Sequence, residues 1–392
     1  MKTTKNEDIA YAMIPFKILS WPVGTWPLQT YNRFAFIRFI VTIGILLLMQ
    51  LILNSEVCLN PSNAETNLDA LMLIVCGNLA LSKVMSFRVH SAKLIFNFMS
   101  AVKDYDELNE EKKRMIMRRH AYMGRVTFVC VMLFGNVCAA ILTAVPVLLK
   151  DNKDINMTVE DILQFPVPSE HIVLLLKIPE NLYFLVFLVE YTMMLFTLAG
   201  NLGSDLLFFG IVFHLCGQAE ILKMQFNRLV NDDGKTTESF RLLIERHGYL
   251  LKLSKMLNDA ISSVLIIQLL ASCVLICTCG FQFIIALNTR NAVMVVKAFV
   301  TLATLMIQLF SYSYVGNYLK SQMDGIGYSL YSCSWYGLPT NIAKNIIFVI
   351  QKAQVPVYLT AGRFFVINLE TYTSILKTSM SYLSVLRVMI NT

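Results

Sequence analysis

Seven apolar runs divide this chain, each long enough to cross a lipid bilayer as a helix, and they leave little sequence from which a soluble core could be built. A helical span needs about 20 apolar residues. The runs are Phe34–Leu53, Leu68–Phe87, Val126–Leu149, Asn181–Cys216, Ile261–Leu287, Val293–Leu319 and Phe364–Met389. Composition agrees: 56% of residues are hydrophobic, 15% are charged, and mean hydropathy is +0.58, outside the range of soluble domains. The sequence therefore predicts an all-α membrane protein with seven transmembrane helices. The fourth run is too long for the bilayer alone. At about 1.5 Å per residue it reaches past the hydrocarbon core, and Gly200, Gly203 and Gly210 are expected to mark where it bends or leaves the lipid.

The net charge of +7 does not signal nucleic acid, because the basic residues sit in alternate loops. Between the second and third runs lie Arg88, Lys93, Lys103, Lys112, Lys113, Arg114, Arg118, Arg119 and Arg125; between the first and second there is no Lys or Arg. The positive-inside rule then places the N-terminus in the cytosol and the C-terminus outside. The sequon Asn156-Met157-Thr158 falls in a loop assigned outside, which makes Asn156 a candidate glycosylation site. No cleavable signal peptide is expected, since the first thirty residues hold Lys2, Lys5, Glu7, Asp8 and Lys17 and no long apolar stretch.

Four regions follow. Residues 1–33 form a cytosolic N-terminal segment. Residues 34–319 form a six-span bundle, with Ser91–Arg119 and Thr237–Leu257 read as helical extensions of their spans into the cytosol. Residues 320–356 form a cytosolic anchor and assembly region, and 357–392 the seventh span. The last element is split: Leu338-Pro339-Thr340 starts a cytosolic half-helix at about Asn341–Ala353, and Asn368 is a candidate cap for the span that follows.

That final span has a particular pattern. Thr371, Ser374, Thr378 and Ser381 recur at helical spacing and are followed by Val385 and Val388. A narrow hydroxyl stripe turning apolar suits a pore wall with a dewetting constriction. It equally suits hydroxyls bonded to their own or neighbouring helices inside a membrane bundle. Among the ionisable residues inside apolar runs, Glu190, Asp205, Lys377 and Arg387 call for a reading. Asp205 is expected at or beyond the inner interface, Glu190 in a structural pairing, Lys377 beside the stripe, and Arg387 near the outer mouth.

The sequence holds no GxSxG, HExxH, Walker A or GxGxxG motif, and the nine cysteines have no zinc spacing. No enzyme, metal or cofactor is predicted. What the C-terminal quarter does carry is SYSYVGNYLKSQ (Ser311–Gln322), YSLYSCSWYGLP (Tyr328–Pro339) and AGRFFVINLETYTSILKTSMSYLSVLR (Ala361–Arg387). These stretches resemble the C-terminal region of insect odorant receptors. The resemblance implies an odour-specific subunit of a tetrameric, ligand-gated, non-selective cation channel, assembled with a shared co-receptor subunit in the cell membrane of a sensory neuron dendrite. It implies a pore lined by the last helix, with a gate at Val385, Val388 and Met389.

On that reading the ligand is a small volatile organic molecule, held in an apolar pocket toward the outer half of spans two to six. The candidate lining residues are Asn78 on the second span, Phe134, Cys138 and Leu142 on the third, Phe184, Phe187, Tyr191 and Met194 on the fourth, and Leu302, Met306 and Phe310 on the sixth. The expected partners are the co-receptor and the bilayer, with no nucleic acid. A gustatory-type receptor channel is the alternative, although Thr371-Tyr372 is followed by Thr378-Ser379 rather than by the Gln-Phe expected of that group. A G-protein-coupled receptor fits less well, since the charge bias runs the opposite way.

Overall fold

A computed structural model of the protein describes residues 2–30, 32–59, 64–148, 165–229, 236–290, 292–362 and 364–391. The chain runs through α1 (Lys2–Val23), α2 (Arg33–Leu59), α3 (Ala64–Val89), α4 (Ser91–Asp106), α5 (Glu111–Leu148) and the short α6 (Glu170–Leu175). It continues through α7 (Tyr183–Arg228), α8 (Thr236–Asn288), α9 (Ala292–Ser332), α10 (Thr340–Ala353), the two-residue strands β1 (Thr360–Ala361) and β2 (Phe365–Val366), and α11 (Leu369–Asn391). Six of the described helices, α2, α3, α5, α7, α8 and α9, are long and apolar enough to cross a membrane. The seventh run becomes the 23-residue α11.

Several helices outrun the bilayer. At about 1.5 Å per residue, the 53 residues of α8 reach roughly 80 Å, more than twice the hydrocarbon thickness of about 30 Å. The stretch 237–257 continues the fifth span without a break. The stretch 91–119 does not: the chain turns at His90, forms α4, and breaks again before α5 begins with Glu111 in its first turn, where a carboxylate suits the positive helix end. The N-terminal segment is also helical. α1 packs on α5 and α7, and its Phe16 and Met13 are buried.

α7 is the axis of the assembly. From Leu202 to Leu222 nearly every side chain is buried, against α1, α3, α4, α5, α8 and α9. Its glycines do not break it, contrary to the expectation that they mark a bend: the helix is continuous through Gly200, Gly203 and Gly210. They are contact points instead. A Cβ at Gly210 would lie 2.7 Å from Cε2 of Phe16, and one at Gly203 would touch Leu19, so the missing side chains let α1 dock closely.

α10 is strongly one-sided. Ile342, Ile346, Val349 and Ala353 are buried, while Ile347 and Phe348 face outward. After it the chain does not enter the last span directly. Residues 359–367 form a small antiparallel hairpin, pairing Thr360 with Val366 and Ala361 with Phe365. The hairpin is fastened to α8: Thr360 N–H donates to Asn258 Oδ1 at 2.7 Å, Ser262 Oγ to the Gly362 carbonyl at 2.7 Å, and Gly362 N–H to the Ser262 carbonyl at 2.9 Å. Gly362 has φ +62°, a left-handed conformation that favours glycine. The helical part of the last span thus starts at Leu369, one turn later than its apolar run suggests. Asn368 caps it, with Oδ1 accepting from Thr371 N–H at 2.8 Å.

Candidate functional site

Between α2, α3, α5, α7 and α9 the bundle holds a partly open cavity of about 360 Å³. Each helix brings one stripe to it. α3 supplies Thr66, Asp69, Met72, Leu73 and Cys76; α7 supplies Met194, Thr197, Leu198, Asn201 and Leu202; α9 supplies Lys297, Thr301, Thr304, Leu305 and Gln308. Residues spaced three and four apart on a helix share one face, so these stripes are what three helices facing a common space must show. Gly135, Cys138 and Ala139 of α5 and Met49 of α2 close the sides, and the segment Phe165–Glu170 covers one end.

The covering segment is held by carboxylates. Glu190 of α7 is buried and accepts from Val167 N–H at 3.3 Å and from Ser169 Oγ at 2.5 Å. Glu56 of α2 accepts from the backbone N–H of His171 at 3.1 Å and of Ile172 at 3.2 Å, and lies 2.7 Å from His171 Nδ1. Glu190 is therefore structural. At the same end Lys297 Nζ lies 3.3 Å from Asp69 Oδ2, and Gln282 donates to Asp69 Oδ1 at 2.8 Å. Burial, then the nearby Glu56 carboxylate, pushes the Glu170 carboxyl above its ordinary range, against a smaller pull from His171.

The other end of the cavity rests on a buried ion pair. Lys83 of α3 and Asp205 of α7 are both essentially inaccessible, with Nζ and Oδ1 2.5 Å apart. Asp205 also accepts from Gln308 Nε2 at 2.7 Å and from the Tyr312 hydroxyl, and Lys83 also donates to Asn201 Oδ1. Burying one such charge alone costs several kcal/mol, so both are stable only while each is paired and hydrogen-bonded. Asp205, expected at or beyond the inner interface, is therefore not a water-exposed residue. It lies in a protein interior. The signal was present in the sequence as Lys83, a lone cation inside the second run, which requires a partner.

The candidates named from the sequence distribute unevenly around this cavity. Cys138 and Met194 line it. Phe184, Phe187 and Tyr191 lie on the same face of α7 but farther out, with Phe184 77% exposed. Phe134 is one residue before the lining Gly135, and Leu302 and Met306 are one residue after Thr301 and Leu305. None of these three lines the cavity; Leu302 and Met306 are partly buried against the core, and Phe134 is 38% exposed. Asn78 is exposed on α3. Phe310 instead stacks in an aromatic column, 5.7 Å from the Tyr372 ring of α11 and 6.1 Å from Tyr314, which in turn stacks on Tyr318 at 6.0 Å. Tyr318 OH lies 3.0 Å from His120 Nε2. The side chain of Leu142 and all of Asn156 lie outside the described residues.

α11 lies against α8 and α9. Leu383 packs on Gly280, and Ser379 is buried beside Cys273 and Cys277. The stripe residues Ser374, Thr378, Ser381 and Val385 are exposed, with no neighbour from their own chain covering them. Thr371 is half-buried and donates to the Val366 carbonyl at 2.5 Å, and Thr378 donates to the Ser374 carbonyl at 2.9 Å. Lys377 is exposed. The side chains of Val388 and Met389 lie outside the described residues.

Comparison with known proteins gives a consistent result. A sequence profile of the family described as 7tm Odorant receptor matches residues 63–380. Odorant receptor 13a of Drosophila melanogaster is 30% identical over 191 residues, covering 44% of this chain and 46% of that protein. Odorant receptor 85b of the same fly is 28% identical over 200 residues, covering 49% of each. These matches span about half the length of the relatives. The structure of the insect olfactory receptor OR5 from Machilis hrabei in complex with eugenol superposes with a TM-score of 0.78 over 99% of both chains at 16% identity. A second structure of the same receptor gives 0.79 over 97% of both at 15%. The fold is shared along the whole chain.

Proposed function

The chain belongs to the insect odorant receptor family, a family of receptors rather than enzymes, and from that premise we propose that it is the odour-binding subunit of a ligand-gated, non-selective cation channel. The observation that carries this reading is the cavity of about 360 Å³ among the apolar helices, a size suited to one small organic molecule. The ligand favours opening by binding the open arrangement better than the closed one. The exposed hydroxyl face of α11 supports its role as one wall of the pore, with Val385, Val388 and Met389 as the apolar gate. The N-terminus is cytosolic and the C-terminus outside, with Asn156 on the outer side within reach of glycosylation enzymes.

The pore is completed by other subunits, including a co-receptor. Support for an assembly surface comes from the region around α10, where Tyr328, Tyr331, Tyr336, Ile347 and Phe348 are each at least 66% exposed. Soluble surfaces rarely gather such residues without a partner. The test is whole-cell recording of the chain expressed with a co-receptor, during application of a panel of volatile ligands. At least one ligand evokes a cation current that is absent with the co-receptor alone. Val385→Ser raises the current seen without ligand. A chain present at the cell surface that adds no ligand response across a broad panel would refute the reading.

A further inference from the structure

We propose that the cavity is selective for neutral molecules combining an aromatic ring with a hydroxyl group, the hydroxyl seated on the side-chain amides of Asn201 and Gln308. The inference rests on the cavity being the ligand site and specifies what that site accepts.

The Lys83–Asp205 pair fixes the direction of both amides. An ammonium can only donate and a carboxylate can only accept. Asn201 must therefore turn its Oδ1 to Lys83, and Gln308 must turn its Nε2 to Asp205. Neither amide can flip without opposing a buried charge. The free ends are the Asn201 NH₂, a donor, and the Gln308 Oε1, an acceptor. Neither free end has a hydrogen-bond partner among the described residues, and both belong to residues of the cavity wall.

A hydroxyl is the smallest neutral group that both donates and accepts, and so can serve both ends. A carbonyl or ether can serve only Asn201, leaving the Gln308 oxygen unpaired. The neighbouring threonines add to the same bias. The hydroxyl hydrogens of Thr197, Thr301 and Thr304 are already given to the carbonyls of Met193, Lys297 and Val300. They offer lone pairs rather than donors, so a ligand that brings its own donor is favoured.

Charged ligands are disfavoured. Lys83 neutralises Asp205, and Lys297 is paired with Asp69. The remaining carboxyl, Glu170, is shifted toward its neutral form by burial and by Glu56, which weakens it as a site for an ammonium. The body of the ligand meets sulfur. Met49, Met72, Cys76, Cys138 and Met194 all line the wall. Sulfur makes favourable contacts with aromatic ring edges beyond simple burial, so a planar ring gains more here than an aliphatic group of equal size.

The test uses the full chain purified into lipid nanodiscs, with binding read as ligand-dependent thermal stabilisation. The probes are 2-phenylethanol, its methyl ether, ethylbenzene and 2-cyclohexylethanol. The alcohol should bind about tenfold tighter than the ether or the hydrocarbon, consistent with the cost of an unmade buried hydrogen bond, and more tightly than the cyclohexyl alcohol. In Gln308→Met the preference for alcohol over ether should collapse while the preference for the aromatic ring persists. If Gln308→Met does not fold, the ranking in the unsubstituted chain decides alone. Equal affinity for alcohol and ether, no binding by any of the four, or an unchanged ranking in folded Gln308→Met would overturn the proposal. Because binding is read without current, an alcohol that binds but opens nothing counts against the channel reading and not against this one.

Discussion

The two halves of α7 have similar sequence and opposite surroundings. Residues 183–201 expose Phe184, Leu185, Leu188 and Val189 and turn Met194, Thr197, Leu198 and Asn201 toward an open cavity. Residues 202–222 are enclosed on nearly every side. Both halves are apolar all round, so hydropathy does not separate them. What differs is the company. The outer half, residues 183–201, stands among helices with exposed faces, whereas the inner half, residues 202–222, is buried in a helix that packs on α1, α4, α5, α8 and α9. One helix therefore joins a loosely packed, ligand-sized space to a tightly packed interior, and the Lys83–Asp205 pair sits at the junction.

If this contrast is real, substitutions along α7 and its partners should sort by depth. The largest effect is expected at the junction. Lys83→Met strands a buried carboxylate and should destabilise by about 3–5 kcal/mol, read as a drop in the melting temperature of the purified chain. Adding Asp205→Asn should recover part of that loss. A mild effect of Lys83→Met alone would mean that the pair is hydrated and the junction is not dry.

Next comes the inner half itself. Phe213 is 1% exposed, and Phe213→Ala leaves a cavity that a close-packed region cannot collapse, at a cost of about 3–5 kcal/mol. A loss below about 1 kcal/mol would show that the inner half is no tighter than the outer one.

The place where α4 meets the inner half offers a smaller, pH-dependent test. Asp104 of α4 lies 3.0 Å from His214 Nε2 and accepts from Arg246 at 2.6 Å. Burial alone would raise its carboxyl, but the His214 hydrogen bond and charge, together with Arg246, outweigh it and hold the group below the usual carboxylate range. A depressed native value stabilises the fold above the unfolded value of about 3.9, and that stability is lost as pH falls through the native value. Asp104→Asn should cost about 1–3 kcal/mol at neutral pH. The gap in melting temperature between the two proteins should then narrow as the pH is taken below about 4. A gap independent of pH would show that the carboxylate charge is not what Asp104 contributes.

The smallest effect is expected at the outer end. Phe184 is 77% exposed at the outer end of the α7 face that carries Met194, beyond the cavity, where truncation removes little packing. Phe184→Ala should change stability by no more than about 0.5 kcal/mol. A large loss would mean that another protein surface covers this face.

The sequence by itself determined the elements. Apolar runs of bilayer length, the Pro339 start of α10, the Asn368 cap of α11 and the alternation of charged loops are local signals, carried by residues within a turn or two of each other. They were enough to place six long helices and α10, and they put candidate residues on α3, α5, α7 and α9, which with α2 border the cavity; they missed the helix α1, the short α6 and the break between α4 and α5. Tertiary structure alone decided how each helix is rotated. In a soluble bundle the polar face of a helix announces its orientation. In lipid both faces are apolar, so Phe184 on the rim and Leu198 in the cavity wall are indistinguishable by hydropathy, and a shift of one residue separates Leu302 from the lining Thr301. The pairing of Lys83 with Asp205 across 122 residues, and with it the fixed direction of Asn201 and Gln308, exists only once α3, α7 and α9 have come together. Burial makes that pairing obligatory, and burial is a property of the assembled bundle.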